Sequence, residues 1–303
     1  MEKPSADTPL SLVDIPQVEI DAFDRLIKEY RVRFIRPARD LIDEVFAENS
    51  YTQRLLEKKD VSAIIAEVRE LAWQKFLIEE VEFNTALLKD IHKKLSTPGA
   101  ILEMLIQDRT AGKTGDSLLE AVRETCGEYA GRIYPYIYML SLSNTNSRRS
   151  RAGTTFEAII YKIYSLLEYP FDSQGKLGRK VFESAGLGKK VDSVLPSIDA
   201  FRQRRNKTII GTMKTTLRER WQEVAEEIER TKIPEIHLLT VDTAIAKSKA
   251  QEMGAHNIVV VGPKVLAESE DLKGMKNIIS FETYFFEEIP RMLEHWGSEK
   301  EGA

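Results

Sequence analysis

The sequence has a single cysteine, Cys126, among its 303 residues. One thiol can form neither an intrachain disulfide nor a cluster of thiolates around a metal. The chain also lacks any apolar run approaching the roughly 18 residues that a membrane span requires. Its first residues, MEKPSADTPL, lack the basic and then apolar pattern of a signal peptide. These absences predict a cytoplasmic protein and exclude disulfide-stabilised secreted domains and membrane-spanning proteins.

Positive charge is also in slight deficit, since the formal net charge is −4, which is not typical of a nucleic-acid-binding protein. The distribution of charge is uneven, however. Residues 148–151, RRSR, are basic, and residues 201–220 contain seven cations against the single acid Glu219: Arg202, Arg204, Arg205, Lys207, Lys214, Arg218 and Arg220. Two interpretations fit this pattern. It is either a local surface for a polyanion or two solvated loops.

The pattern of apolar residues changes near residue 146. Before it, apolar residues recur at helical spacing, for example Phe23, Leu26, Ile27 and Tyr30. After it, short β-branched stretches such as KTIIGTMK, IHLLTV and NIVVVGP alternate with helical stretches. The sequence therefore predicts an α-helical N-terminal region over 1–145. It predicts an α/β domain with a mixed sheet, flanked by helices, over 146–303.

Three acids and a lysine are spaced so that they can meet in that domain. Asp192 interrupts the strand-like KKVDSVLP, and Lys214 ends the next strand. Glu227 borders the apolar stripe of the following helix, and Glu157 begins the helix FEAII. Converging carboxylates suit Mg²⁺, and a lysine beside them can hold an attacking water or developing charge. The alternative is that these are ordinary solvated helix acids and an acid at a strand end.

The stretch KTTLRERW places an Arg-Glu-Arg triplet between a strand and a helix. In one interpretation TLRE is a capping box, in which Thr216 is the N-cap and Glu219 reaches back. In the other, the arginines pair with guanine and the glutamate accepts from cytosine N4 in a DNA groove. The residues alone leave both interpretations open.

The motifs taken together, in order, resemble a known family. SRRSRAGTTFEAII, the isolated aspartate of VDS, KTTLRERW and a glutamate in the next helix are similar to the CCGG-type branch of type II restriction endonucleases. The likeness, over roughly residues 140–303, is greatest to the SsoII, PspGI and EcoRII group. It implies the PD-(D/E)XK restriction-endonuclease fold and a bacterial or archaeal enzyme. It also implies that the enzyme is Mg²⁺-dependent and binds double-stranded DNA as a homodimer, with a tetramer as the alternative.

The resemblance also assigns roles to individual residues. Asp192 matches the metal-binding aspartate, and Lys214 matches the catalytic lysine. The acid that usually stands two residues before this lysine is absent, since that position is Thr212. In this branch the acid lies in the following helix, where Glu227 fits, and Glu157 matches a further acid that helps a second metal ion. The resemblance therefore implies an active site of four residues: Asp192, Lys214, Glu227 and Glu157.

Recognition follows from the same resemblance. The triplet Arg218, Glu219 and Arg220 matches the residues that read CC:GG half-sites, which predicts a CCNGG-like site and, with the longer N-terminal region, an extension such as TCCNGGA. Arg69 and Trp73, one helical turn apart, match a pocket for an extruded central nucleotide, although Trp73 also fits a core position. Four cations of the basic stretches are expected to contact the DNA backbone: Arg148, Arg149, Arg151 and Lys207.

Two other functions fit parts of the sequence. A repair or structure-specific nuclease of the same fold would cut without sequence preference, and would not need the Arg-Glu-Arg triplet. A non-catalytic DNA- or protein-binding protein would have no need for Asp192, Lys214 and Glu227 together. Cleavage assays separate these alternatives.

Overall fold

Helices occupy the first half of the chain almost without interruption in the computed structural model, which describes residues 15–301. The break between the first two helices coincides with Pro37, because proline cannot continue a helix. The helices of this half are α1 (Gln17–Phe34), α2 (Ala38–Glu48), α3 (Tyr51–Lys58), α4 (Val61–Lys94), α5 (Ser96–Thr110), α6 (Gly115–Arg132) and α7 (Tyr134–Leu166).

The second half alternates strands and helices. Its strands are β1 (Asp172–Ser173), β2 (Ser193–Leu195), β3 (Ile209–Lys214), β4 (Ile236–Thr240), β5 (Ile258–Gly262) and β6 (Ile278–Ser280). Its helices are α8 (Gln174–Leu177), α9 (Arg179–Ser184), α10 (Ile198–Gln203), α11 (Arg220–Thr231), α12 (Lys247–Ala255), α13 (Lys264–Ala267), α14 (Phe281–Thr283) and α15 (Ile289–Glu301). A 3₁₀ turn (Arg205–Lys207) precedes β3, and a π-helical segment (Tyr284–Glu288) precedes α15.

The six strands form one sheet in the order β1-β2-β3-β4-β5-β6. The pairs β1/β2 and β2/β3 are antiparallel, whereas β3/β4, β4/β5 and β5/β6 are parallel. The predicted mixed sheet is therefore confirmed. Because β3 and β4 run in the same direction, Lys214 lies opposite Thr240 and the carboxyl ends of both strands meet at one edge.

Helices cover both faces of the sheet, because its strands are buried on both sides. On one face Phe156 and Ile160 of α7 pack with Phe281 and Phe285. The other face is covered by α11, whose apolar stripe includes Trp221 and buries itself against the strands. These two cores hold β3 between them, so the position of its carboxyl end is fixed.

The internal contacts divide the chain into two compact units. One contains the residues up to Pro37 and Gln74–Ser150, with a core that includes Phe23, Phe83 and Tyr136. The other contains Ala38–Trp73 and the residues from Arg151 onward. This division differs from the predicted 1–145 and 146–303 in the placement of residues 38–73. Their apolar side chains belong to the core beside the sheet, and periodicity alone does not reveal what an apolar helix face packs against.

The polar stretch around RRSR is not a loop. Residues 148–151 lie inside α7, which continues without a break through SNTNSRRSRAGTT. The interpretation of this stretch as a solvated loop is therefore wrong.

Over the part of the chain that the structure describes, no helix is long and apolar enough to cross a membrane.

Candidate active site

Asp192 and Lys214 lie side by side where β2 and β3 adjoin. The antiparallel pair aligns Ser193 with Gly211, and the N–H of Asp192 donates to the Gly211 carbonyl at 2.9 Å. This places Asp192 one residue before β2 and level with the last residues of β3. Lys214 Nζ lies 3.8 Å from Asp192 Oδ2, and each side chain is 16% exposed. The predicted neighbour relation of this acid and lysine is thus present in the structure.

A small hydrogen-bond network orients both side chains. Asp192 Oδ2 accepts from the Met213 N–H at 2.6 Å and from Thr212 Oγ1 at 3.3 Å. Lys214 Nζ donates to Thr212 Oγ1 at 3.3 Å. A threonine hydroxyl can donate one bond while accepting another, so Thr212 links the carboxylate to the ammonium. Thr212 is fully buried.

The backbone of Asp192 is held from the other side. Its carbonyl accepts from the Tyr161 hydroxyl and from the Gln174 N–H, both at 2.9 Å. Burial first, and then the nearby carboxylates, raise the pKa of Tyr161, so it remains a protonated donor. Sequence analysis missed Tyr161, although its position one helical turn after Glu157 on α7 was a usable signal.

Glu157, on α7, is close enough to this pair to feel the charges of Asp192 and Lys214. Burial, followed by the negative charge of Asp192, raises its pKa to about 7, while Lys214 opposes the shift. Burial also raises the pKa of Asp192, against the effect of Lys214 and the hydrogen bonds from Met213 and Thr212. Two carboxyl groups that disfavour each other's charge in a partly dry site are the donor chemistry of a divalent-cation site.

Glu227 does not join this cluster. Its carboxylate is buried, accepts from the Lys189 N–H and forms a 2.5 Å ion pair with Arg230 Nη2. Gly188 has φ +83°, and a Cβ at that position would overlap the Glu227 carboxylate. Glu227 therefore secures the loop that leads to Asp192. Among residues 15–301, no group of three or more His, Cys, Asp or Glu side chains is arranged to hold a metal ion.

A further acid on α11, Glu223, interacts electrostatically with Lys214. Glu223 forms an ion pair with Lys190, which is the main cause of its lowered pKa, and Lys214 and Arg220 lower it further. Sequence analysis did not single out Glu223, which stands one helical turn before Glu227. Which carboxylate of the helix comes near Lys214 depends on the residue at which the helix begins. The sequence pattern did not predict that residue.

The Arg-Glu-Arg triplet is exposed directly beyond this cluster. Helix α11 begins at Arg220, and its N-cap is Glu219, with no side-chain capping bond. The capping-box interpretation with Thr216 as N-cap is therefore wrong. The Leu217 N–H donates instead to Asp242 Oδ2 at 2.7 Å. Arg218 adopts φ +32°, which is unusual for a residue with a side chain.

Arg69 and Trp73 are both half-buried on α4. Burial lowers the pKa of Arg69, and the charge of Asp242 opposes that shift. Asp242 is also the acceptor for Leu217, next to the triplet. The predicted pocket arginine and the predicted recognition triplet are thus both associated with one aspartate.

The four cations expected at the DNA backbone have different environments. Arg149 and Lys207 are exposed, but Lys207 precedes β3, so about 16 Å of strand separates it from the Lys214 end. Arg148 makes a two-pronged ion pair with Glu80. Arg151 is only 8% exposed. Because its side chain is buried, the expectation that Arg151 contacts the DNA backbone is wrong.

The chain is similar in sequence to a known family and to a characterised enzyme. A family model described as EcoRII C terminal matches residues 127–285. The type II restriction enzyme SsoII of Shigella sonnei is 34% identical over 259 residues, which cover 84% of this chain and 77% of SsoII.

Solved structures extend the likeness to nearly the whole chain. Metal-depleted Ecl18kI in complex with uncleaved DNA is 28% identical with a TM-score of 0.72, covering 93% of this chain and 86% of Ecl18kI. A complex of the restriction endonuclease PspGI with substrate DNA has 18% identity and a TM-score of 0.61, covering 86% of this chain and 94% of PspGI, and shows the fold alone. The predicted restriction-endonuclease-like fold is confirmed. The chain belongs to the EcoRII C-terminal family and is a type II restriction endonuclease, a site-specific deoxyribonuclease.

Proposed function

We propose that this enzyme hydrolyses double-stranded DNA at a palindromic CCNGG-like site with Mg²⁺ as cofactor, leaving 5′-phosphates. One observation carries the proposal. Asp192, Lys214 and Glu157 gather at the carboxyl end of β3, and the exposed triplet from Arg218 to Arg220 begins four residues later in the same segment. Lys214, which is suited to cutting, and the triplet, which is suited to reading G·C pairs, therefore occupy one continuous stretch of chain.

The donor set fits a hard divalent cation. Asp192 and Glu157 offer carboxylate oxygens, which Mg²⁺ prefers, and their charges repel each other when no cation is bound. When bound, Mg²⁺ supplies positive charge at the phosphate and acidifies a water ligand. Because the pKa of Glu157 is raised to about 7, about half of these carboxyl groups carry a proton at neutral pH, and cation binding would favour the ionised form.

Lys214 has a separate role in the proposal. Its ammonium group, oriented by Thr212 and Asp192, holds the attacking water or the developing charge on the phosphate. Because Asp192 is fixed by Met213 and Tyr161, the lysine and the carboxylate keep their relative positions during the reaction. Such fixed donors cost little reorganisation in the transition state.

Glu227 is assigned to the metal by the family resemblance, whereas its carboxylate here contacts Lys189 and Arg230. Glu227→Gln separates the two roles, because a glutamine oxygen still accepts from the Lys189 N–H but carries no charge. If Glu227 binds metal, this variant needs much more Mg²⁺ for half-maximal cleavage. If it only secures the loop, the Mg²⁺ requirement stays at the wild-type level.

Base recognition is assigned to the triplet. Arg218 and Arg220 would pair with guanine and Glu219 with cytosine, and a homodimer, or a tetramer, would present two triplets to the two half-sites. Arg69 and Trp73 would receive a central nucleotide turned out of the stack. We further propose that the helical first unit contacts flanking base pairs, as in TCCNGGA, and that the enzyme acts in the cytoplasm.

The first test is to digest a sequenced phage DNA with purified protein and Mg²⁺ and to sequence the fragment ends. Discrete ends that share a CC…GG core support the proposal and give the overhang and flanks. Random ends favour a nuclease without specificity, and intact DNA with several divalent metals favours a non-catalytic binding protein. Lys214→Ala serves as the matched variant. It should lose cleavage and keep specific binding in Ca²⁺, and cleavage at the wild-type rate would exclude Lys214 from the active site.

A further inference from the structure

Asp242 lies beyond the carboxyl end of β4, beside the segment that follows Lys214. Lys214 is aligned with Thr240 in the parallel pair β3/β4, so the chain leaves both strands at the same edge of the sheet. The Asp242 N–H donates to Thr240 Oγ1 at 3.2 Å, which turns the aspartate at the strand end. Its side chain then reaches Leu217, whose N–H donates to Asp242 Oδ2 at 2.7 Å.

The backbone at Arg218 is held from both sides. Leu217, immediately before it, is bonded to Asp242, and the Arg218 carbonyl accepts from Lys249 Nζ at 3.2 Å. The Arg220 N–H donates to the Leu217 carbonyl at 2.6 Å and closes the turn. Arg218 itself has φ +32°, in a region that residues with a Cβ rarely adopt. A strained residue of this kind persists only where the surroundings impose it.

We propose that Asp242 is a specificity-determining positioning residue. By accepting from Leu217 it imposes the strained turn, and the turn fixes the directions in which Arg218, Glu219 and Arg220 leave the backbone. The inference rests on the proposed base readout by this triplet. Two hydrogen bonds to one base edge need a guanidinium at a defined angle, so a relaxed turn weakens discrimination more than it weakens overall DNA binding. Lys249 assists from the opposite side.

The charge of Asp242 gives it a second partner. It attracts Arg69, which is half-buried on α4 and belongs to the proposed pocket for the central nucleotide. One carboxylate therefore contacts the recognition segment through a hydrogen bond and acts on Arg69 through its charge. Replacing the carboxylate by an amide removes the second interaction and keeps an acceptor for the first.

The experiment compares Asp242→Ala with Asp242→Asn and with Asp271→Ala, an exposed aspartate outside the site. For each variant kcat/KM is measured on a duplex with the site that the wild-type enzyme cuts and on duplexes with one G·C pair replaced by A·T. Thermal unfolding is recorded in parallel. Asp242→Ala should lower the ratio of cognate to substituted cleavage roughly 10-fold to 100-fold, as expected for loss of a charge-assisted bond that orders the readout. Asp242→Asn should recover most of that ratio, and Asp271→Ala should keep it.

An Asp242→Ala ratio equal to wild type would overturn the inference, and so would an Asn variant that behaves like the Ala variant. If Asp242→Ala does not fold, Lys249→Met replaces it, since Met keeps the apolar stem and removes the donor to Arg218. That variant should lower the ratio a few-fold, by roughly half the effect of a full bond, and no change would again overturn the inference. Arg220→Ala separates the two levels. If Arg220→Ala keeps the wild-type ratio, the proposed base readout by the triplet is wrong. If Arg220→Ala lowers the ratio while Asp242→Ala keeps it, only the positioning role of Asp242 is wrong.

Discussion

Two arginine-rich stretches have similar sequences and very different environments. In RRSR, residues 148–151, the first arginine is held by Glu80, the second is exposed and the last is buried. In RER, residues 218–220, all three side chains are exposed. The first stretch lies inside a helix, where successive residues turn by about 100° and meet different surroundings. The second lies at a strand-to-helix turn, which can present consecutive side chains to one ligand.

This comparison explains why counting charge misleads. Both stretches were candidates for DNA contact, yet a helix interior distributes its cations among structural partners and solvent. A turn at the carboxyl edge of a parallel pair places its side chains above the site. If the comparison is right, substitutions in RRSR change stability or non-specific binding, whereas substitutions in RER change discrimination between DNA sequences.

The largest effect is expected for Arg148→Ala. Its partner Glu80 is only 3% exposed, so the substitution leaves a buried carboxylate without its bidentate cation. Unfolding should become easier by about 2–3 kcal/mol, the cost of an unsatisfied buried charged group. Denaturant unfolding measures this. Arg149→Ala, at the adjacent exposed position, is the control and should change stability by less than about 0.5 kcal/mol. Equal stability of the two variants would contradict the comparison.

Arg220→Ala should act on discrimination instead. Loss of the proposed bidentate contact to guanine would cost about 1–3 kcal/mol and relax the preference at that base pair. Cleavage of duplexes with single base-pair changes gives the value. Because Arg220 is exposed, its removal should leave the unfolding free energy almost unchanged. A variant that loses stability but keeps its preference would show that the two stretches do not differ in the expected way.

The strained turn predicts that the usual order of stability of alanine and glycine variants is inverted at Arg218. At an ordinary position alanine is more stable than glycine, but at φ +32° the Cβ is unfavourable. Arg218→Gly should therefore be more stable than Arg218→Ala by about 1 kcal/mol. Both variants lack the guanidinium, so they are matched in charge. Chemical denaturation of the pair measures the difference, and the usual order would mean that the turn is not strained.

The smallest effect concerns salt. Arg149 is exposed and is proposed to contact a phosphate, so Arg149→Ala should reduce the slope of log K against log[salt] by about 1. Arg148 is committed to Glu80, and its substitution should leave the slope unchanged after correction for any unfolded fraction. Binding to a cognate duplex in Ca²⁺ at several salt concentrations gives both slopes. A matching decrease for the two variants would place both cations at the DNA.

The sequence predicted the sheet and the Asp192–Lys214 pair because both depend on local pattern. Alternating strands and helices define the fold class, and an acid in one apolar strand can meet a lysine ending the next. It could not predict the orientation of Glu227, because that depends on a backbone N–H of a loop folded around Gly188. The packing of residues 38–73 beside the sheet is likewise a long-range contact that periodicity does not encode.

The start of α11 shows a subtler failure. A capping box was a reasonable local interpretation of TLRE, but the Leu217 N–H, immediately after Thr216, donates to Asp242, which is distant in sequence. The helix begins at Arg220, after the turn that this tertiary contact holds. Local propensity and tertiary contact disagree at this one junction, and such disagreements are expected where a protein meets its ligand.

The short link between Lys214 and Arg218 has a consequence for engineering new specificities. A library that randomises positions 218–220 also varies the backbone that continues from the strand ending at Lys214, so many members are expected to lose cleavage before their sequence preference can be observed. Keeping Asp242 and Lys249 constant retains the two anchors that the structure places outside this segment. Selection for binding in Ca²⁺, followed by a separate screen for cleavage, would recover variants with an altered base preference that a screen for cleavage alone discards.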